Sequence, residues 1–315
     1  MARLRRLPMS VWGALVSMLL CGGCASSAVA GNDGMGDLPE EIQGTWPRDS
    51  EFAVYNATAE DVGNRYVFAV VVQSEGTLYG FCSGVLVAPR LVLTAGHCVC
   101  TPSQATPALV DSSHCVKRAQ VTAYVYEKKG EEYVRRLRSS AGAVIPHKKF
   151  KAQVAQNKYG RYFVVDSTTD LAAIVLDEPE GNGKRAGMSA GGFRMPEGEV
   201  QLKEPIIIVG YGLDNVENGK IERRLWGSNR VTGVFVSNLK DSLDEDVVFT
   251  FAWPGAHAAG GDSGGPCFRE DKKGNRWLVG IISRGTKSGD GSQFTSIFPH
   301  LQWVESLKKQ AGQAL

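Results

Sequence analysis

The chain carries the segment GGDSGGP at residues 260–266. Four glycines surround one hydroxyl, which is the pattern expected where backbone N–H groups, and not side chains, contact a reacting group. A serine becomes a useful nucleophile only when a base takes its proton, so catalysis at Ser263 requires a histidine, a group that orients it, and an oxyanion hole. The alternative is a Gly-rich surface turn, because Gly, Asp and Ser are common turn residues. The rest of the sequence has to decide between these two interpretations.

The composition fits a large all-β protein. The chain has 315 residues, of which 43% are hydrophobic, and this is enough for a sizeable core. It contains 37 glycines and many short apolar runs, with few long helical patterns, which favours strands over helices. The formal net charge is only +2, so nothing in the composition indicates a nucleic-acid partner.

Residues 1–30 are predicted to be an export signal and not part of the fold. Three arginines precede an apolar run at 7–20, which is shorter than the ~20 residues of a membrane span. Two processing sites remain open: AVA at 28–30 suits ordinary signal peptidase, whereas LCGGCASS at 20–27 resembles the lipobox of bacterial lipoproteins. We therefore expect a secreted or periplasmic protein, or an outer-membrane lipoprotein whose only membrane contact is a lipid on Cys24. Residues 31–53 are polar and without period, and are predicted to be a linker or pro-segment.

Apolar runs with β-branched and aromatic residues predict an antiparallel hairpin at 66–72 and 78–87. Another hairpin is predicted at 124–133, and His147, which follows a proline in a polar stretch, is expected at the surface. Further strands are predicted at 144–147, 205–212, 230–232, 247–251, 277–285 and 294–297. Leu301, Val304 and Leu307 recur at helical spacing, which predicts a C-terminal helix.

The apolar run 91–95 leads to His97, the best candidate for the base. A lone histidine is more often structural than catalytic. In an exported protein, however, a disulfide between Cys82 and Cys98 would fix the backbone that carries this histidine.

Three segments, FCSGVLV at 81–87, LTAGHC at 93–98 and GDSGGP at 261–266, resemble the trypsin/chymotrypsin family of serine proteases. The resemblance extends more thinly over about 54–303. It implies a domain at 54–315 made of two six-stranded antiparallel β-barrels, at about 54–189 and about 190–315, with the active site between them. Gly96 stands where the family commonly has Ala, and this smaller residue is expected to be tolerated.

The family resemblance implies a Ser-His-Asp triad. Asp170, which opens the run DLAAIVL at 170–176, is the preferred carboxylate, and Asp166 is the alternative without an apolar run directly behind it. Ser263 would attack a peptide carbonyl, His97 would take its proton, and Asp170 would orient the imidazole. The N–H groups of Gly261 and Ser263 would form the oxyanion hole.

The specificity pocket departs from the trypsin pattern. Trypsin-like enzymes that cut after Lys or Arg have Asp six residues before the nucleophile, where this chain has His257. Ala259 replaces a cysteine of a pocket disulfide. Ser283, Arg284 and Gly285 match the strand that pairs with the substrate backbone, with Arg284 in place of an aromatic residue. His257 and Arg284 suggest a preference for acidic side chains by charge complementarity.

The remaining cysteines have structural interpretations. Cys100 and Cys115 are expected to pair across a loop of about 15 residues, which is worth about 3 kcal/mol in the chain-entropy model, since two free thiols fit an exported protein poorly. Cys267 is then left over as a buried small hydrophobe. No Cys/His spacing indicates a metal site, and no cofactor is expected.

Activation remains open. The family commonly pairs a newly cut N-terminus with the Asp beside the nucleophile, which would be Asp262 here. Val54 is a candidate for that terminus, but Ala53 precedes it and the nearest upstream basic residue is Arg48, so a trypsin-specific activator is not predicted. The alternatives are that a different protease trims the chain, or that another group takes the place of the new N-terminus as the partner of Asp262.

The sequence therefore predicts an exported bacterial serine endopeptidase that acts on proteins or peptides through an acyl-enzyme. A non-catalytic binding protein that keeps the protease scaffold at the cell surface is the rival interpretation. An α/β-hydrolase esterase is disfavoured, because Ser263 lacks the nucleophile-elbow context and follows His97 and Asp170 in the chain.

Overall fold

Antiparallel strands make up most of the structure, and they close into two six-stranded barrels followed by a C-terminal helix, which confirms the predicted fold class. The computed structural model describes residues 59–61, 64–157, 162–177, 192–212, 223–237, 246–252, 255–285 and 291–313. All of them belong to the unit Asp37–Leu315. The predicted export signal, the linker and Val54 lie outside the described residues.

In chain order the strands are β1 (Ala59–Glu60), β2 (Ala69–Gln73), β3 (Phe81–Ala88), β4 (Leu91–Thr94), β5 (Cys100–Pro102), β6 (Leu109–Cys115), β7 (Arg118–Lys129), β8 (Glu132–Pro146), β9 (Lys151–Gln156), β10 (Tyr162–Thr168), β11 (Ala172–Leu176), β12 (Pro205–Gly210), β13 (Leu225–Ser237), β14 (Asp246–Ala252), β15 (Pro266–Glu270), β16 (Arg276–Gly285) and β17 (Gly291–Ser296). The helix α1 spans Leu301–Gln313. Within the described ranges, no helix has the length and apolar character needed to cross a membrane.

The first barrel has the strand order β11-β4-β3-β2-β7-β8, and β8 pairs with β11 to close it. Strand β4 is buried along its whole length, which explains why its sequence is apolar on both faces. The helix α1 packs on β4 and β11. Its residues Val304 and Leu307 belong to the same hydrophobic core cluster as the side chains of β4. The C-terminal helix thus covers the strand that leads to His97.

The second barrel runs β13-β12-β15-β16-β17-β14, with a β13–β14 pairing that closes it. Strand β1 adds to the outside of this barrel, where Ala59 lies opposite Trp226. A segment that precedes the first barrel in sequence is therefore part of the second barrel in space.

The long stretch between His97 and Asp170 supplies two strands of the first barrel, β7 and β8, and a separate sheet. Strands β5, β6, β9 and β10 make a four-stranded antiparallel sheet with β10 at one edge. The hairpin of β7 and β8 is much longer than predicted and turns at Gly130. The second strand of the hairpin predicted at 66–72 and 78–87 begins at Phe81 and not at Leu78, so residues 78–80 belong to the connecting turn.

The expectation for His147 was wrong, and the one for Gly96 has a physical reason in the structure. His147 is buried and not at the surface, because its ring packs 5.1 Å from the His300 ring and 4.8 Å from the Trp303 ring. Gly96 is tolerated as expected, and a larger residue is disfavoured, since a Cβ there would lie 2.6 Å from the ring of Phe150. Both contacts join segments distant in sequence, so local patterns could not reveal them.

Both predicted disulfides are present in the structure. Cys82 is bonded to Cys98, next to His97, and Cys100 is bonded to Cys115, directly opposite it in the β5–β6 pair. Cys267 is unbonded and buried on β15. Burial raises the pKa of its thiol, and the nearby Glu204 carboxylate adds to this effect, so the thiol stays protonated.

Candidate active site

His97 and Asp170 meet because they flank the same edge of two neighbouring antiparallel strands. His97 lies in a short 3-10 helix, Gly96–Cys98, just after β4, and Asp170 precedes β11, the partner of β4 in the barrel. The His97 ring donates from Nδ1 to Asp170 Oδ2 at 2.7 Å, and the His97 backbone N–H donates to Oδ1 at 3.0 Å. With Nδ1 as donor, Nε2 is left as the acceptor that a general base needs.

Asp170 is fully buried and accepts a third hydrogen bond, from Ser283 Oγ at 2.6 Å. Burial by itself raises the pKa of this carboxyl, but the charge of His97 and the hydrogen bonds from His97 and Ser283 outweigh it, so its pKa lies below the ordinary value. The group is therefore a carboxylate at neutral pH, as the orienting role requires. The contact with Ser283 was missed, since that serine was predicted to bind substrate.

Asp166, the alternative carboxylate, does not reach His97. It lies on β10 after a bulge, and its Oδ1 is 2.7 Å from a terminal nitrogen of Arg284. The other terminal nitrogen of Arg284 donates to Ser167 Oγ, which lies 3.2 Å from Ser283 Oγ. The two aspartates thus have different positions, one beside the imidazole and one in an ion pair on the cleft wall.

Ser263 sits in a tight turn between the two barrels. Its carbonyl accepts from Ser83 N–H at 2.7 Å, and Gly264 N–H donates to Ile282 O at 2.7 Å. Gly264 has φ +82°, and a Cβ there would lie 2.1 Å from Thr94 Oγ1, so only glycine fits. The sequence GGDSGGP is therefore a packed turn, in which a Cβ at Gly261, Gly264 or Gly265 would meet neighbouring atoms at less than 3.0 Å.

Ser263 and His97 line the same cavity, of about 350 Å³. Ser263 Oγ lies 3.5 Å from the carbonyl of Ser283, and His97 Nε2 lies 3.7 Å from Cys98 Sγ. Among the described residues, no hydrogen bond joins Ser263 Oγ to Nε2. Catalytic hydrogen bonds of this kind are often long without substrate and tighten when it binds.

The backbone N–H groups around Ser263 differ in whether they make backbone hydrogen bonds. The N–H groups of Asp262, Gly264 and Gly265 are used in backbone hydrogen bonds. Within the described part of the chain, those of Gly261 and Ser263 make none. Gly261 has φ +95°, which side-chain-bearing residues rarely adopt. These two groups are therefore available to an oxyanion.

Asp262 braces the turn from behind. Its side chain is buried, and its two oxygens accept from Gly212 N–H at 2.8 Å and Ala259 N–H at 2.9 Å. These bonds tie the turn to the end of β12 and to the segment before the nucleophile. A pairing with the candidate terminus Val54 lies outside the described residues.

The predicted substrate-binding residues have different surroundings. The backbone strand Ser283–Gly285 lines the cavity, opposite the segment Ala258–Gly260. His257 is 1% exposed and is not part of the lining. Arg284 lines the cavity, but its guanidinium is already paired with Asp166, and this argues against a preference for acidic side chains.

The other lining residues had no functional signal in the sequence. They are Tyr79, in the turn before β3, Phe163, Val164 and Val165 on β10, and Ile282 on β16. Tyr79 stands two residues before the FCSG segment, but only the fold shows that its ring reaches His97. A cluster of Cys82, His97 and Cys98 has ligand atoms within 4.8 Å of one another, but both sulfurs are in a disulfide and offer no thiolate for a metal.

Comparisons with known proteins agree with this geometry. The family model described as Trypsin matches residues 56–304. The chain is 24% identical to the lectizyme of Glossina austeni over 248 residues, which are 75% of this chain and 80% of that protein. It is 21% identical to mannan-binding lectin serine protease 1 of Rattus norvegicus over 269 residues, 81% of this chain and only 35% of that longer protein. Because the family model covers most of the chain and the barrels, turn and histidine are those expected of it, this protein belongs to the trypsin family.

Proposed function

We propose that the protein is a serine endopeptidase in which Ser263, His97 and Asp170 form the catalytic triad. A domain of this family implies protein or peptide substrates. The observation that carries the proposal is the 2.7 Å hydrogen bond from His97 Nδ1–H to a fully buried Asp170, at a cavity that Ser263 also lines. That arrangement presents a basic Nε2 to the serine side of the cleft.

In the acylation step, Ser263 Oγ attacks the peptide carbonyl carbon while Nε2 of His97 takes the hydroxyl proton. The oxyanion is stabilised by the N–H groups of Gly261 and Ser263, and loss of one such donor typically costs about 10²–10³ in rate. The carbon–nitrogen bond then breaks, and His97 gives its proton to the leaving amine. Asp170 stabilises the imidazolium throughout without taking its proton.

In the deacylation step, His97 removes a proton from water, whose oxygen attacks the ester carbonyl carbon. The bond from that carbon to Ser263 Oγ then breaks, and His97 returns its proton to Oγ. The extended substrate would lie along Ser283–Gly285, with the residue before the cleaved bond directed toward Ala258–Gly260. We propose no cofactor.

We also propose export by the segment 1–30, with processing at 28–30 or lipidation of Cys24. N-terminal sequencing and mass measurement of the mature protein would distinguish these two forms of processing.

A fluorophosphonate probe tests the activity directly. An activated serine attacks phosphorus, fluoride leaves, and the probe stays bound to Oγ. We expect labelling of the wild type, none of Ser263→Ala, and full labelling of Ser306→Ala, a control on α1 whose hydroxyl donates to the Trp303 carbonyl. Absence of labelling in correctly folded wild type would favour the binding-protein alternative, for which retention of the protease scaffold is the supporting observation.

A further inference from the structure

One aromatic side chain covers the histidine side of the candidate active site. The ring of Tyr79 meets the imidazole of His97 edge to face, with centroids 5.1 Å apart and planes at 74°. Both side chains line the same cavity as Ser263, and His97 is only 1% exposed. Whatever occupies the cleft next to the imidazole must therefore share that space with the tyrosine ring.

Tyr79 lies in the closed turn between β2 and β3. Phe81 N–H donates to Tyr79 O at 2.6 Å, and Ser74 N–H donates to Gly80 O at 3.1 Å, which closes this turn. Burial raises the pKa of the Tyr79 hydroxyl, the charge of Asp170 adds to this, and the Val164 backbone opposes it, so the phenol stays neutral. Tyr79 and Val164 of β10 line the same cavity.

An extended peptide places successive side chains on opposite faces. If its backbone pairs with Ser283–Gly285 and the residue before the cleaved bond points toward Ala258–Gly260, the preceding residue points the other way. That direction leads to His97 and the ring of Tyr79, with Val164 behind it. The room on this side is set by the tyrosine.

We propose, on the basis of the peptidase activity proposed above, that Tyr79 is a specificity-determining residue that restricts the second residue before the cleaved bond to Gly, Ala or Ser. A larger side chain there would have to displace the ring from its contact with His97 and from Val164. Phe163, 46% exposed on the same wall, lines the cavity without a ring contact to His97 among the described residues and serves as the comparison.

The test uses two peptidyl diphenyl phosphonates that differ only in Ala or Leu at the second residue before phosphorus. Ser263 Oγ attacks phosphorus, phenoxide leaves, and the second-order rate constant is measured. We expect the wild type to favour Ala over Leu by at least about tenfold, a size typical of steric discrimination in a tight pocket. Tyr79→Ala should bring the two rates within about twofold of each other, whereas Tyr79→Phe and Phe163→Ala should keep the preference.

The outcomes separate this proposal from the proposed function. Equal rates for Ala and Leu in the wild type, or a preference that survives in Tyr79→Ala, would overturn the role of Tyr79 while leaving the peptidase intact. If neither phosphonates nor the small fluorophosphonate label the wild type, the peptidase proposal fails. The role of Tyr79 is then tested by calorimetry with peptide amides that carry Ala or Leu at the same position. Equal affinity of the wild type for the two peptides contradicts the role of Tyr79. Tighter binding of the Ala peptide that is lost in Tyr79→Ala supports it.

Discussion

Replacing Asp170 by Asn tests the arrangement on which the proposed mechanism depends. Asp170 uses its two oxygens to accept three hydrogen bonds, from the backbone and ring of His97 and from Ser283 Oγ. An asparagine at this position has one acceptor oxygen and one donor nitrogen. If the nitrogen faces Nδ1 of His97, the imidazole must carry its proton on Nε2, where it cannot accept one from Ser263.

The expected effect is large and falls on turnover. Loss of the correct tautomer in the Ser-His-Asp arrangement lowers kcat by about 10⁴, which corresponds to about 5.4 kcal/mol of transition-state stabilisation. Substrate binding along Ser283–Gly285 uses other groups, so KM should change little by comparison. Ser283→Ala removes one of the three hydrogen bonds and leaves His97 its acceptor, so its loss of turnover should be much smaller than that of Asp170→Asn.

The matched control is Asp166→Asn, the same substitution four residues earlier. Asp166 pairs with Arg284 and does not contact His97, so kcat should fall less than about tenfold. Turnover is measured on protein quantified by circular dichroism and thermal unfolding, so that unfolded material is not mistaken for loss of chemistry. The role of Asp170 in the triad is contradicted if kcat of Asp170→Asn stays within tenfold of the wild-type kcat, or if Asp166→Asn lowers kcat about as much as Asp170→Asn does.

Three further predictions concern stability. Gly96→Ala should lower the free energy of unfolding by about 1–3 kcal/mol through the clash with the aromatic ring behind it, whereas Gly198→Ala, with no atom within 4 Å of the new Cβ, should stay within about 0.5 kcal/mol in urea titrations. The pKa of Asp170 in the folded protein lies below its ordinary value of 3.8, so its stabilising contribution is complete above pH 3.8 and is lost as the pH falls through the folded pKa. The difference in unfolding free energy between wild type and Asp170→Asn should therefore narrow only in that range. Arg224→Met should cost about 3–5 kcal/mol by leaving Asp61 buried without its cation, and a calorimetric loss below 1 kcal/mol would contradict this.

The segments that carry Ser263 and His97 could be singled out from the sequence because each has a local signature. Ser263 sits in a turn where Gly261, Gly264 and Gly265 are imposed by close contacts, and His97 follows an apolar strand next to a cysteine. The choice between Asp170 and Asp166 rested on the apolar run behind Asp170. That run is β11, whose pairing with β4 brings the carboxylate to the histidine.

Contacts between distant segments could not be predicted. Phe150 fills the space above Gly96, His147 is covered by the start of α1, and Tyr79 reaches His97 from a turn expected to be strand. Phe150 and His147 lie between β8 and β9, in the stretch that separates His97 from Asp170 in the sequence. Polar residues in that stretch follow no simple period, so the sequence pattern says little about which side chains face the cleft.

The site depends on the two barrels keeping their alignment, since neither contains a complete set of groups. His97 and Asp170 come from the first barrel, and Ser263 and Ser283 from the second. The barrels are joined at the reacting groups themselves, through the Ser283 bond to Asp170 and the Ser83 N–H bond to the Ser263 carbonyl. A shift between barrels would break these short bonds before it opened the apolar contacts around them. The hydrogen bonds that orient the proposed triad therefore also help to hold one barrel against the other, which is consistent with the burial of Asp170 between them.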